Sequence, residues 1–163
     1  FGKITERSLF IERKNTGKTQ MAKIGLMIAT AAIFVWGLSM PYLEIVFLIM
    51  IGVDIYLFRS FDVEYEYLYI NGSLDIDKIM SKSRRKKMFE MHVSELEIMA
   101  PAGVPELRPF QGVKAVDYTS GEAGRRVYEM IIIKNGIKKR VLFEPNDTII
   151  DGMRMYGPRK VIR

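Results

Sequence analysis

The stretch from Ile24 to Phe58 constrains this chain most: 35 residues without a Lys or Arg and with two acids, Glu44 and Asp54. A single straight helix of that length would run to about 52 Å against a hydrocarbon core of about 30 Å, so one span cannot absorb it. Ser39-Met40-Pro41 interrupts the run and leaves two halves. Each half is about 17 residues, or roughly 26 Å, the short end of a transmembrane helix. The expectation is a helical hairpin that anchors the rest of the chain in a membrane. Eleven strongly apolar residues in the second half contribute roughly −5 kcal/mol to insertion, more than a carboxylate near a helix end costs. Neither half has the polar face of a helix on a soluble surface.

The flanks set the orientation. Lys3, Arg7, Arg13, Lys14, Lys18 and Lys23 precede the hairpin; Arg59, Lys78 and the run Lys82 to Lys87 follow it; residues 39 to 43 carry no basic side chain. By the positive-inside rule both termini are cytoplasmic. Two tandem apolar runs behind a 23-residue polar leader do not fit a cleaved signal peptide. The sequence begins at Phe1 rather than Met, so residues are expected upstream.

The parts are then a leader over 1 to 23, a transmembrane hairpin over 24 to 58, one small β domain over 61 to 157 and a basic tail over 158 to 163. In the leader, Leu9, Phe10 and Ile11 suit either an interfacial segment or a partly ordered arm. Asn15-Thr16-Gly17-Lys18-Thr19 ends like a phosphate-binding loop, but Glu12 stands where that motif needs its first Gly.

Absent cysteine excludes disulfides and thiolate metal sites, and a single histidine, His92, argues against an ordinary zinc site. No metal, cofactor or catalytic residue is expected, and the chain reads as a non-enzyme. Asp62, Glu64 and Glu66 alternate as on a solvated strand face, and His92 has no partner visible for acid–base work.

From Phe61 the period becomes two. Phe61, Val63, Tyr65, Tyr67 and Tyr69 face inward; Asn71-Gly72 makes a hairpin turn into Leu74 to Met80. Strands are predicted over Met88 to Val93, Ser94 to Met99, Val113 to Tyr118 and Arg126 to Lys134, then, after a second turn at Asn135-Gly136, over Ile137 to Phe143. Lys82 to Lys87 reads as a basic loop or strand end. Ile149, Ile150, Met153 and Tyr156 have the spacing of an amphipathic helix that Gly157-Pro158 ends.

Seven short strands followed by one helix match the order of a pleckstrin-homology-like barrel. YEYLYINGSLDIDKIMSKSRRKKMFEMHVSELEIM resembles the first half of bacterial pleckstrin-homology-like domains, with their tyrosine strand, turn, second strand, basic loop and S-x-L-E strand. The whole chain is similar to a family of small bacterial membrane proteins that brings no established activity. The fold expected is therefore a membrane-anchored α+β protein: a transmembrane helical hairpin, then a mainly antiparallel β barrel with one C-terminal helix, in the bacterial cell membrane.

Three groups of residues are candidates for function. Arg84, Arg85, Lys86 and Lys87 form a run that suits anionic lipid headgroups, at about 1 kcal/mol per cation. It lacks the interleaved aromatics or reading helix that nucleic acid would require, so no nucleic-acid partner is expected. Asp54 is an ionisable group inside a span, expected to pair with Arg59 or Lys23 or to be hydrated. Gly25, Ala29 and Ala32 line one stripe of the first span, expected to pack on the second through Gly52, with dimerisation as the other use. The net charge of +6 agrees with an anionic membrane surface. The function expected is a tethered module that binds anionic lipid or a membrane-protein partner; the alternative is a small accessory subunit of a transporter or membrane enzyme complex.

Overall fold

The computed structural model describes residues 7–14 and 17–163, so Lys3, Asn15 and Thr16 lie outside the described residues. Among the described residues, eight strands form two four-stranded sheets. In the first, β1 (Arg7–Glu12), β2 (Val63–Ile70), β3 (Ser73–Met80) and β4 (Arg84–His92) lie in sequence order and all pair antiparallel. The second has the order β5 (Leu96–Pro101), β7 (Tyr128–Lys134), β8 (Ile137–Phe143), β6 (Ala115–Asp117), with β6 parallel to β8. The last helix, α3 (Asp147–Tyr156), follows.

The Leu9-Phe10-Ile11 segment is thus an edge strand. Leu9 pairs with Tyr67 and Ile11 with Tyr65, so two helices, α1 (Gly17–Gly37) and α2 (Leu43–Ser60), are inserted between neighbouring strands of one sheet. The expected barrel is corrected as well. The sheets do not close on each other: β4 and β6 are edge strands of separate sheets.

The turns form where the dipeptides placed them. Asn71 and Gly72 have φ of 47° and 84°, Asn135 and Gly136 of 52° and 75°, the double positive φ that a two-residue hairpin loop needs and that Asn and Gly tolerate. Alternation then sends Tyr65, Tyr67, Tyr69, Leu74 and Ile76 inward against Met130, Ile132, Val141 and Phe143 of the other sheet. Asn146 Oδ1 accepts from Ile149 N at 2.9 Å and starts α3, whose Ile149, Ile150 and Met153 are buried in the same core. Gly152 is required there. A Cβ at that position would lie 2.5 Å from a ring carbon of Tyr69.

Leu38–Tyr42 forms the turn between α1 and α2, with Pro41 inside it. The helices pack through Phe34 and Phe47, whose rings lie 5.0 Å apart, and through Thr30 and Asp54. The small-residue stripe does not make this contact. Gly25, Ala29, Ala32 and Gly52 are exposed, and a Cβ on either glycine would meet nothing within 4 Å. A buried carboxylate needs a partner more than glycine needs a neighbour, and the Thr30–Asp54 pair sets the register.

Candidate functional site

The inserted helices have their polarity reversed relative to a soluble pair. Thr30 and Gly37 are the buried residues of α1, and Asp54 is the buried residue of α2. Apolar side chains such as Ile28, Val35, Trp36, Leu48 and Ile55 point outward, Trp36 with 75% of its surface exposed. Exposed apolar surface on this scale marks a membrane or protein contact. Among the described residues, α1 is the helix long and apolar enough to cross a membrane by length and composition; α2 carries Glu44, Asp54 and Arg59 in its 18 residues.

Among the described residues, Asp54 has Thr30 as its hydrogen-bond partner rather than the expected Arg59 or Lys23. Thr30 Oγ1 donates to Asp54 Oδ2 at 2.7 Å, and Asp54 Oδ1 is buried without a hydrogen-bond partner among the described residues. Lys23 lies instead over the rings of Phe58 and Phe61, 5.8 and 5.5 Å from their centroids.

Where the helices leave the sheet, the chain builds a cleft of about 240 Å³ lined by Arg13, Lys14, Thr19, Ser60, Phe61, Val63 and Lys78. Three cations and two hydroxyls converge there, with no carboxylate among the described residues of the lining. Backbone bonds fix its walls. Arg13 N donates to Val63 O at 2.8 Å and Lys14 N to Ser120 O at 2.7 Å, while Ser81 Oγ ties the β3–β4 turn to Arg59 O at 2.5 Å. Arg13 is further oriented by Nη1 donating to Tyr65 Oη at 2.8 Å. Lys78 arrives because β3 alternates Leu74 and Ile76 inward and then places a cation on that face at the strand end, opposite Tyr65.

The basic run does not act as one patch, because β4 begins at Arg84 and splits it by alternation. Arg85 pairs with Glu66 and, at 3.6 Å, with Asp77. Lys87 reaches Asp75 at 2.9 Å and Glu90 at 3.4 Å, and its hydrogen bond to Asp75 raises its pKa. These two cations neutralise the outer acidic face that Glu66, Asp75 and Asp77 create. Arg84 and Lys86 are exposed on the alternate positions, and Arg84 lines a second cleft with Tyr56, Arg59 and Ser81. His92 is a cap: its Nδ1 accepts from Ser94 N at 3.1 Å while Glu95 accepts from His92 N.

Sequence reasoning missed Arg13, Lys14 and Thr19, because they become a site when β1 pairs with a strand more than 50 residues later. Lys78 carried a readable signal, an inward-phase cation at the end of an apolar strand.

A family model described as Bacterial PH-like domain (DUF6106) matches residues 8–163. No curated protein and no solved structure matches the chain.

Proposed function

From the premise that this chain belongs to that family of bacterial PH-like domains, we propose that it is a non-enzymatic module of the bacterial cell membrane, held by two spans with both termini cytoplasmic, whose junction cleft binds an anionic lipid headgroup. The observation that carries the reading is the reversed polarity of the helix pair, with Thr30 and Asp54 inside and apolar side chains outside. The β1–β2 pairing adds to it. A chain that leaves β1 through α1 returns through α2 to reach β2, which supports two spans rather than one. At about 1.5 Å per residue, α1 and α2 reach roughly 31 and 27 Å, close to the hydrocarbon thickness. Trp36 and Tyr42 stand at the turn, where interfacial aromatics belong, while Arg13, Lys14, Lys23 and Arg59 stand at the sheet end.

In this arrangement the hairpin holds the cleft at headgroup level. Arg13, Lys14 and Lys78 supply charge, and Thr19 supplies a hydroxyl donor to a phosphate; the Ser60 hydroxyl already donates to Tyr56 O at 2.9 Å. The tether makes the encounter effectively intramolecular, so modest attraction suffices. Retention of phosphatidylglycerol by the full chain, counted by native mass spectrometry from mixed micelles, tests it. K14Q/K78Q is expected to lose about 2 kcal/mol, roughly thirtyfold, at about 1 kcal/mol per cation. R85Q/K87Q is expected to change retention little, since those side chains already face acids. Equal retention of phosphatidylglycerol and phosphatidylcholine by the wild type would remove the lipid reading.

The second reading, an accessory subunit of a transporter or membrane enzyme, is favoured by Asp54 Oδ1, buried and without a partner among the described residues. Recovery with a multi-span protein after mild detergent extraction, lost in Asp54→Asn, would support it over the first.

A further inference from the structure

The two sheets fail to close along a seam between β4 and β6, and the seam is a built groove. It encloses about 320 Å³ over a floor of Phe89, Tyr118 and Val141, all buried. Its lips are apolar and open to solvent, Met88 on β4 at 39% and Val116 on β6 at 44% exposure. Lys114, Lys138, Lys139 and Arg140 surround it, and no carboxylate lines it.

Two features narrow what can fill this groove. The first is backbone. Each of these edge strands has a paired neighbour on one side alone, and Met88 O receives a long bond of 3.4 Å from the Tyr118 hydroxyl. Met88 is also the extra residue of a bulge, since Ile76 pairs with Phe89 and the adjacent Asp77 with Lys87. An open edge with unpaired main-chain groups is a template for an added strand. The second feature is charge. Arg140 is engaged by Glu129 and Lys138 by Glu97, whereas Lys114 and Lys139 have no ion pair among the described residues. A second copy of the chain entering edge to edge would bring Arg84 and Lys86, which have no ion pair among the described residues, close to their own equivalents, and like charges across a strand pair repel.

We propose that the seam between β4 and β6 receives an extended, acidic segment of a partner protein as an added strand along β4. Side chains on one face of that segment pack on Phe89, Tyr118 and Val141 between the lips formed by Met88 and Val116. Its acidic residues meet Lys114 and Lys139. The site is separate from the junction cleft, shares no residue with it, and does not depend on the lipid reading.

The test uses the full chain in phosphatidylcholine nanodiscs and a fluorescein-labelled heptapeptide of alternating Glu and Val, with a Lys and Val peptide as control. Saturable binding of the acidic peptide is expected, with slowed hydrogen exchange in β4 amides and at least tenfold weaker binding to K114E/K139E. Both lysines are exposed, so an unchanged melting temperature accompanies that loss. The proposal is overturned by no saturable binding, by equal binding of the basic peptide, or by an unchanged affinity in K114E/K139E. Binding that slows no β4 amide overturns it too, as does laurate protecting the seam where the peptide does not, an outcome that would make the groove a site for an anionic amphiphile.

Discussion

Replacing Arg140 by methionine is expected to destabilise the β domain by about 3–5 kcal/mol, the cost of breaking a buried ion pair from one side. Arg140 Nε donates to Glu129 Oε2 at 2.8 Å and Nη2 to Oε1 at 3.1 Å, a two-point contact with both side chains largely buried. Nη2 also donates to Gln111 Oε1 at 2.7 Å, and Nη1 to the carbonyls of Gln111 and Val113 at 3.3 and 3.4 Å. One guanidinium therefore fastens the long β5–β6 connection to β7 and β8. Methionine keeps the stem and leaves the Glu129 carboxylate without a cation. E129L/R140M is expected to recover most of the loss or exceed the wild type, because apolar pairs often replace buried ion pairs at no cost. Urea unfolding of the wild type and the two variants in detergent measures the difference. An R140M loss under about 1 kcal/mol would mean that the pair is solvated, at the level of a surface pair.

The second large effect is expected at Tyr67. Its ring is fully buried and meets Phe143 edge-on at 5.8 Å, and its hydroxyl donates to Tyr118 O at 2.5 Å while accepting from Glu144 N at 3.3 Å. The side chain thus joins the two sheets where no strand pairing does. Burial raises the phenol pKa far above its ordinary value, so it stays a donor across the physiological range. Tyr67→Ala is expected to cost about 3–5 kcal/mol as a large aromatic deletion. Tyr67→Phe keeps the ring and strands two buried backbone groups, at about 1–3 kcal/mol for such a group. Thermal melts of both variants check this; a Phe variant as unstable as the Ala variant would contradict the division between ring and hydroxyl.

How legible all this was depends on the range of the interaction. Local chemistry came through: Asn71-Gly72 and Asn135-Gly136 declared their turns, the tyrosine alternation declared the inward face of β2, and the Ile149, Ile150, Met153 spacing declared α3. The break at Pro41 was equally plain. What escaped depends on pairing between distant segments. Six residues from Arg7 to Glu12 are too few to declare a strand when their partner lies beyond two helices, so β1 read as a leader and the cleft that it forms could not be seen. The charges of Arg84 to Lys87 were visible, but their division was not, because it follows from Glu66, Asp75 and Asp77 arriving on neighbouring strands. Asp54 was singled out for its position, and Thr30, an ordinary helix residue, gave no sign of being its partner.

The central claim, that the hairpin crosses the membrane twice and leaves both strands of the β1–β2 pair in the cytoplasm, is tested most directly by labelling single cysteines in intact cells. The chain has no cysteine, so each variant carries one reporter. Ser39, exposed in the turn between the helices, reports the far side; Ser83, exposed in the β3–β4 turn, reports the sheet. The account predicts that an impermeant maleimide modifies Ser39→Cys from outside and reaches Ser83→Cys only after lysis. Modification of Ser83→Cys in intact cells, or protection of Ser39→Cys until lysis, would contradict it.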